Sequence, residues 1–318
     1  MSAEPPSRHR VADPGPATTI EEPARLLVDG TEVARYVVDP ALDARHGPRP
    51  YLHPVRTLGG TVVTDALPAD HVWHLGASLA VQDVNGSNLW GGRTYVRDVG
   101  YTWRDDHGVI AHTGFTERAA DRLEHRLEWR DPHGAVLLTE RRRLTAVPLT
   151  AGGPLGGDGE LTGEGPPGGL SAWRLEMDYT LTAPAGQDVR LGSPATNGRP
   201  GGAGYGGFFW RAVSTEPASV FSASATGEEA VNGSAEPWVA LRGTGPDGRA
   251  YTLVFSGLGD GDRWFTRTAM YPGVGVAFAF ERPVTIAAGT SRQGRHAVVV
   301  ADGALNPTTG QALTPSWC

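Results

Sequence analysis

Hydrophobic and polar residues alternate with a period of two along most of this chain. In residues 123–130, Leu, His, Leu and Trp alternate with glutamates and arginines. Such alternation is typical of a strand with one buried and one solvated face. Comparable stretches occur at residues 95–103, 109–117, 136–147, 173–182, 207–213, 238–242, 251–257, 274–281 and 295–301. No window of a dozen residues combines helical periodicity with helix caps, so the pattern predicts an all-β protein.

Asp-Gly, Asn-Gly and Gly-Gly pairs separate these stretches and predict tight hairpin turns. With roughly fifteen or more strands, the chain should form large antiparallel sheets that pack face to face as a β-sandwich. We predict one domain over residues 25–305, a disordered tail over 1–24 and a C-terminal tail over 306–318. Residues 151–170 hold nine glycines and three prolines between two strong strands, which predicts a flexible loop on a long hairpin.

The composition excludes several classes of function. A formal net charge of -7 disfavours nucleic acid as a partner. The chain has no lysine, so it cannot form a Schiff base through one. Its one cysteine, Cys318, is the last residue, which excludes disulfides and cysteine nucleophiles within the fold. Because no apolar run could span a bilayer and residues 1–24 lack the core of a secretory signal, we expect a cytoplasmic protein without a membrane partner.

The candidate chemistry is concentrated in one short region. His53, His71 and His74 fall within 22 residues, and Asp70 precedes His71. Histidines three positions apart point to opposite faces of a regular strand, so they could bind one metal ion only from a turn. The cluster could provide general acid and base groups oriented by Asp70, or a metal site. The structural alternative is that these side chains cap turns and satisfy backbone groups.

Arginines and aromatic residues supply candidate ligand-binding groups. Four arginines could anchor an anionic or polyhydroxylated ligand through paired hydrogen bonds, although each could instead form a surface salt bridge. These are Arg56, Arg199, Arg211 and Arg267. Six aromatic residues near Gly-rich turns could stack on sugar rings or simply belong to the core. They are Trp73, Trp90, Tyr205, Trp210, Trp264 and Tyr271, of which we expect Trp73 and Tyr205 to contact substrate.

Five segments together resemble a known protein family. They are residues 49–57, 70–76, 84–90, 204–211 and 301–303. In these residues the chain is similar to a bacterial family filed under the name "methane oxygenase PmoA", a soluble all-β family with the same name as a membrane monooxygenase subunit. The resemblance implies a galactose-mutarotase-like β-supersandwich that binds sugars and uses His with a carboxylate for proton transfer. We carry over no oxygenase activity, since the membrane subunit is helical.

One of these segments departs from the family pattern, which reads Asp-His-Pro-His-His-Arg-Gly. Here Val72, Trp73 and Leu75 replace the proline, the first of the adjacent histidines and the arginine. His71 and His74 are retained. The loss of one imidazole and one guanidinium keeps open the possibility that this member binds a ligand without turning it over.

Three functions therefore follow from the sequence. The first is an epimerase, lyase or hydrolase acting on a sugar or an oxidised sugar without a cofactor, with His71 and His74 as acid and base and His53 assisting them. The second is an enzyme that holds a divalent transition metal through the same three histidines. The third is a non-catalytic sugar-binding or assembly protein. In each case we expect a small sugar-like ligand. The sequence leaves open whether the chain forms a homodimer through edge strands.

Overall fold

The structure of the chain, a computed structural model, describes residues 24–149 and 171–315. These residues contain twenty strands, two short helices and one turn of 3-10 helix at Ala44–His46. In chain order the elements are β1 (Ala24–Val28), β2 (Thr31–Val37), β3 (Tyr51–Val55), β4 (Ala77–Ala80), β5 (Asp83–Val84), β6 (Thr94–Val96), β7 (Gly100–Thr102), β8 (Val109–Arg118), β9 (Arg122–Arg130), β10 (Val136–Leu149), β11 (Ala172–Thr182), β12 (Val189–Gly192), β13 (Gly207–Arg211), β14 (Ser219–Ser222), α1 (Glu228–Val231), β15 (Trp238–Thr244), β16 (Ala250–Ser256), β17 (Arg263–Arg267), β18 (Gly273–Ala277), β19 (Val284–Ile286), β20 (Ser291–Asp302) and α2 (Pro307–Ala312).

Two large antiparallel sheets contain most of the strands. The first has the order β1-β2-β3-β4-β13-β18-β17, and the second has the order β14-β15-β16-β20-β11-β10-β9-β8. A three-stranded sheet, β19-β12-β5, and the hairpin β6-β7 complete the fold. Strands β10 and β11 are paired up to Leu149 and Ala172, so the segment between them connects two neighbouring strands. Residues 150–170 of that segment, which include the predicted flexible loop, lie outside the described residues.

The two large sheets pack face to face over one apolar core. Trp210 on β13 and Phe255 on β16 meet across the interface with ring centroids 5.9 Å apart. The indole of Trp173 on β11 donates a 2.8 Å hydrogen bond to the carbonyl of Arg56 in the opposite layer. A buried aromatic side chain of this size contributes about 1.5–3 kcal/mol or more through its removal from water. The prediction of an all-β sandwich is confirmed.

A buried polar network also joins the sheets. Tyr36 on β2 shares a 2.9 Å hydrogen bond with His125 on β9, and Arg142 on β10 donates to the same phenol oxygen at 3.0 Å. Glu140 accepts two bonds from Arg142, at 2.6 and 2.9 Å. Burial and the charge of Arg142 lower the pKa of His125 to about 2. Since each member has a partner, the network fixes β2 over β9 and β10 without an unpaired buried charge.

The strand predictions fail where the backbone turns inside an alternating stretch. Residues 95–103 form the β6-β7 hairpin, which reverses at Asp98 with a φ of 62°. The stretch 274–281 leaves the sheet after Ala277, because the amide of Phe278 bonds to the carbonyl of Gly206 in a loop. Alternation alone cannot show such a turn, since the side chains on both sides keep their hydrophobic and polar order.

The ends of the domain also differ from prediction. Strand β1 begins at Ala24, one residue before the predicted boundary. The segment predicted as a C-terminal tail contains α2, and Leu313 after it is fully buried against the outer face of the second large sheet. A single apolar residue after a Pro-initiated turn is too weak a sequence signal to predict this packing. Residues 1–23 and 316–318 lie outside the described residues.

Candidate functional site

A pocket of about 490 Å³ opens beside the first large sheet. It is formed where the loops after β3, β5, β12 and β17 meet the end of the hairpin strand β7. Its walls consist mainly of aromatic rings and arginines. The lining residues are His71, Trp73, His74, Trp90, Gly91, Arg93, Tyr101, Trp103, Arg199, Tyr205, Phe265, Arg267, Met270 and Tyr271.

Asp70 orients His71 at one side of the pocket. Nδ1 of His71 lies 3.0 Å from Oδ2 of Asp70. The ionised carboxylate only accepts, so Nδ1 carries a proton, and the lone pair of the neutral ring is on Nε2. Nη2 of Arg211 donates to both oxygens of Asp70 at 3.1 Å. Partial burial opposes ionisation of Asp70, but the hydrogen bond from His71 and the charge of Arg211 outweigh it and lower its pKa.

His74 forms the floor of the pocket and carries its proton on the other ring nitrogen. Its ring stacks on His71 with centroids 4.7 Å apart and an interplanar angle of 16°. Nη1 of Arg211 lies 3.4 Å from Nδ1 of His74, and a guanidinium can only donate. Burial, followed by the nearby imidazole of His71 and the positive charge of Arg211, lowers the pKa of His74 well below its usual value. His74 is therefore neutral, with its proton on Nε2.

The buried, neutral state of His74 predicts a pH-dependent loss of stability. In the unfolded chain its pKa is near 6.5, so below that pH only the unfolded state binds the proton. The stability is complete above the unfolded pKa and falls as the pH decreases towards the depressed folded pKa. Between about pH 7 and about pH 5.5, we expect the wild type to lose about 1 kcal/mol more free energy of unfolding than His74→Gln.

Urea unfolding of both proteins at the two pH values measures this difference. His125 and His296 are also buried and neutral, with pKa values lowered by burial to about 2 and about 4, and they contribute equally to both proteins. Equal pH dependence in wild type and His74→Gln would show that His74 is protonated in the folded state.

Arg49 lies behind the pocket and holds two of its walls together. The side chain is fully buried and donates to the carbonyls of Gly47, Trp90 and Trp73 at 2.8, 2.9 and 3.1 Å, and to Oγ of Ser78 at 3.1 Å. Burial lowers the pKa of Arg49 to about 9, so the guanidinium stays charged at neutral pH. One side chain on the approach to β3 thus fixes the loops that carry Trp73 and Trp90.

Two glycines allow these loops to approach closely. Gly91 and Gly92 have φ values of 96° and 71°, where side chains other than glycine are strained. A Cβ atom at Gly92 would lie 2.5 Å from the Trp73 ring, and one at Gly91 would lie 2.8 Å from the Trp73 Cβ. The sequence Trp90-Gly91-Gly92 therefore permits the contact between the two loops.

The remaining walls form a connected aromatic shell. Trp90 contacts Tyr205 with ring centroids 5.0 Å apart, and the Tyr205 hydroxyl lies 3.0 Å from that of Tyr101. On the other side Trp73 meets Trp103 edge to face at 6.5 Å. Tyr271 packs against both His71 and His74, at 4.9 and 4.8 Å. Rings in such an arrangement offer faces for an apolar sugar surface and hydroxyls for its polar edge.

The structure assembles most of the predicted site residues. His71, Trp73, His74, Arg199, Tyr205 and Arg267 line the pocket, while Asp70 and Arg211 stand behind its two histidines. Trp90 and Tyr271 also line it, whereas Trp210 and Trp264 are fully buried in the core. Sequence reasoning missed Arg93, Tyr101, Trp103, Phe265 and Met270. Tyr101 in β7 and Trp103 just after it could have been noticed as large residues at a strand end, but nothing local places them near His71.

Two predicted residues lie outside the pocket. Nδ1 of His53 on β3 bonds to Oγ1 of Thr64 at 3.0 Å, and Nη1 of Arg56 donates to the carbonyl of Gly60 at 3.2 Å. Within residues 24–149 and 171–315, no group of three or more His, Cys, Asp or Glu side chains could hold a metal ion. The predicted metal ligand set of His53 with His71 and His74 is therefore not formed. The three histidines are close in sequence but not in one site, because the His53 ring on β3 bonds to Thr64 while the rings of His71 and His74 line the pocket.

The fold and the pocket define an all-β sandwich protein with an aromatic-walled, histidine-floored site. The chain belongs to DUF6807, a family of unknown function whose sequence profile matches residues 24–314. No match was found among curated proteins. Within the described parts of the chain, no helix is long and apolar enough to cross a membrane.

Proposed function

We propose that this protein is a carbohydrate-active enzyme that moves protons at a sugar or an oxidised sugar. One observation carries the proposal: two stacked imidazoles face the pocket in complementary states. Nδ1 of His71 bonds to Asp70, so Nε2 of the neutral ring is its acceptor, whereas Nδ1 of His74 faces Arg211, so the proton of that neutral ring is on Nε2. A base and a neutral hydrogen-bond donor at one surface are what proton transfer beside a carbonyl requires.

The proposed chemistry assigns a different role to each group. His71 accepts a proton from a carbon next to a carbonyl or carboxyl group, and Asp70 stabilises the imidazolium that results. His74 donates its Nε2 hydrogen bond to the substrate oxygen on which negative charge develops. Arg211 touches both Asp70 and His74, so it positions this pair rather than reacting itself. Return of a proton to the opposite face of the same carbon would complete an epimerase reaction. Loss of a substituent from the next carbon would complete a lyase reaction instead.

The pocket favours these two reactions over glycoside hydrolysis. Most glycoside hydrolases use two carboxyl groups on opposite sides of the scissile bond, about 5–9.5 Å apart. None of the fourteen residues that line this pocket is Asp or Glu. We therefore narrow the predicted enzyme class to epimerase or lyase.

Solvent exchange tests this proposal directly. Full-length protein is incubated in D₂O with a panel of aldoses, ketoses and uronates, and proton NMR follows each C–H signal. We expect enzyme-dependent exchange or elimination at one carbon of at least one sugar. Binding without exchange on every panel member would instead support a non-catalytic sugar-binding protein. Activity lost on chelation and restored by a divalent transition metal would support the metal-dependent alternative.

The proposal also includes the type of β-sandwich, the cellular location and the binding partner. We propose a galactose-mutarotase-like supersandwich, supported by the two large antiparallel sheets with the site beside one of them. We also propose a cytoplasmic location, supported by a single cysteine in the whole chain. The proposed partner is a small sugar-like ligand rather than nucleic acid or a membrane, as the net charge of -7 indicates.

A further inference from the structure

The charges that line the pocket are all positive, although the chain as a whole is acidic. The formal net charge is -7, yet the lining contains Arg93, Arg199 and Arg267 and no Asp or Glu. Guanidinium groups only donate hydrogen bonds, and their planar fork matches the paired oxygens of a carboxylate or phosphate. The lining therefore suits a ligand that brings its own negative oxygens.

Arg199 lacks an acidic partner among the described residues. Its Nη1 donates a 2.6 Å bond to the hydroxyl of Tyr101, and its guanidinium stacks on the Tyr101 ring at 4.9 Å. The stacking holds the guanidinium plane while leaving further N–H groups for a ligand. Elsewhere in the fold arginines are commonly neutralised by carboxylates, as where Glu124 pairs with Arg141 and Arg143. Among the described residues, the positive charge of Arg199 is therefore not neutralised by a carboxylate in the way that these other arginines are.

Arg267 extends the same positive surface. Its Nη1 and Nη2 donate to the carbonyls of Thr266 and Gly202, and Nη1 also forms a long ion pair, 3.7 Å, with Oε1 of Glu228. The side chain is only 12% exposed and lies 4.3 Å from the centre of the Phe265 ring. Because Arg199 is three residues from Gly202, both guanidiniums flank the same loop.

The charges of Arg199 and Arg267 also affect the pKa of Tyr271, which packs against the two histidines. Burial raises the pKa of Tyr271 to about 12, while the positive charges of Arg267, Arg211 and Arg199 oppose that rise. Tyr271 contacts both His71 and His74. The positive field of the arginines therefore reaches the place where proton transfer is proposed.

We infer that the ligand of this pocket is an anionic sugar, with its carboxylate or phosphate against Arg199 and Arg267. The inference rests on the proposed function, because it takes the pocket to be a sugar site. A carboxylate held by arginines would also favour the proposed chemistry. Because the arginines neutralise the carboxylate, they stabilise the negative charge that develops when the neighbouring carbon loses a proton to His71.

Matched pairs of sugars test the inference. Calorimetric titration of the full-length protein with D-glucuronate, D-galacturonate and D-glucose 6-phosphate is compared with D-glucose and D-galactose. We expect at least one anionic sugar to bind about tenfold or more tightly than its neutral counterpart, and added salt to reduce the difference. Comparison of the uronates with the phosphate identifies which anionic group the arginines take.

Variants assign the preference to the arginines. Arg199→Gln and Arg267→Gln should each weaken binding of the anionic sugars about tenfold more than binding of the neutral sugars. Arg97→Gln is the matched control, since the Arg97 guanidinium lies beside Gly198, where an added Cβ would be 2.9 Å from it, but does not line the pocket. Retention of the preference in both pocket variants would overturn the assignment to these arginines.

The outcomes separate this inference from the proposed function. If neutral sugars bind and exchange protons as well as anionic sugars do, the anionic preference is wrong and the sugar enzyme stands. If anionic sugars bind preferentially but no sugar undergoes exchange, the anionic site stands and the enzyme does not. If no sugar binds at millimolar concentration, both proposals are wrong.

Discussion

Replacement of His71 with Asn should reduce turnover by about 10²–10⁴-fold while leaving the affinity for the substrate nearly unchanged. Nδ1 of this imidazole lies 3.0 Å from Oδ2 of Asp70, and that carboxylate stabilises the imidazolium formed when Nε2 accepts a proton. Its ring is one of several that contact a ligand, so binding persists through the aromatic walls. The D₂O exchange assay with the sugar identified from the panel, together with calorimetric titration, measures both quantities.

The matched control is His133→Asn. His133 is exposed in the turn between β9 and β10 and lies outside the pocket, so its replacement should leave exchange unaltered. Asp70→Asn should also slow exchange, because Asn can hold the His71 ring without stabilising its protonated form. Wild-type turnover in His71→Asn would remove His71 from the mechanism. Equal loss in kcat and affinity would show instead that the ring serves only in binding.

Replacement of Arg49 with Met should lower the free energy of unfolding by about 3 kcal/mol or more. The change leaves the buried carbonyl oxygens of Gly47 and Trp90 and the partly buried one of Trp73 without their charged donor. Each unsatisfied acceptor in a buried site costs about 1 kcal/mol or more. Because two of them belong to the pocket walls, ligand affinity should fall as well.

Urea unfolding followed by tryptophan fluorescence measures the loss, with Arg56→Met as control. Arg56 makes one side-chain bond, to Gly60 at the surface, so its replacement should cost less than about 0.5 kcal/mol. If Arg49→Met does not fold, Arg49→Lys keeps the charge and part of the bonding and should show an intermediate loss. Equal stability of the two Met variants would contradict the role given to Arg49.

The strands could be predicted because their signal is local. In residues 123–130 the apolar positions lie every second residue, and β9 spans Arg122–Arg130 with those side chains inward. His125 follows the same alternation and is buried, where Tyr36 and Arg142 meet it. The pattern therefore predicted which face His125 occupies, but not its partners, since these come from β2 and β10.

The site could be predicted only in part, for the same reason. Asp70, His71 and His74 lie in one turn, so their nearness in sequence is also nearness in space. His53 was wrongly grouped with them, because its strand turns the ring towards Thr64. Trp73 stands where the related pattern has a histidine, and it forms a wall of the pocket against Gly92. Arg93, Tyr101 and Trp103 could not be predicted as lining residues, because the β6-β7 hairpin brings them in from the side.

By itself the sequence determined that the chain is all-β, that its strands alternate inward and outward residues, and that one turn holds a carboxylate beside two imidazoles. These properties depend on neighbours along the chain, where backbone geometry dictates the spacing. Only the tertiary structure decided that Arg211 contacts both Asp70 and His74 of that turn, that Arg49 holds the tryptophan loops, and that Arg199 and Arg267 face the same pocket. Those contacts join residues far apart in sequence, so they arise only when the sheets pair and pack.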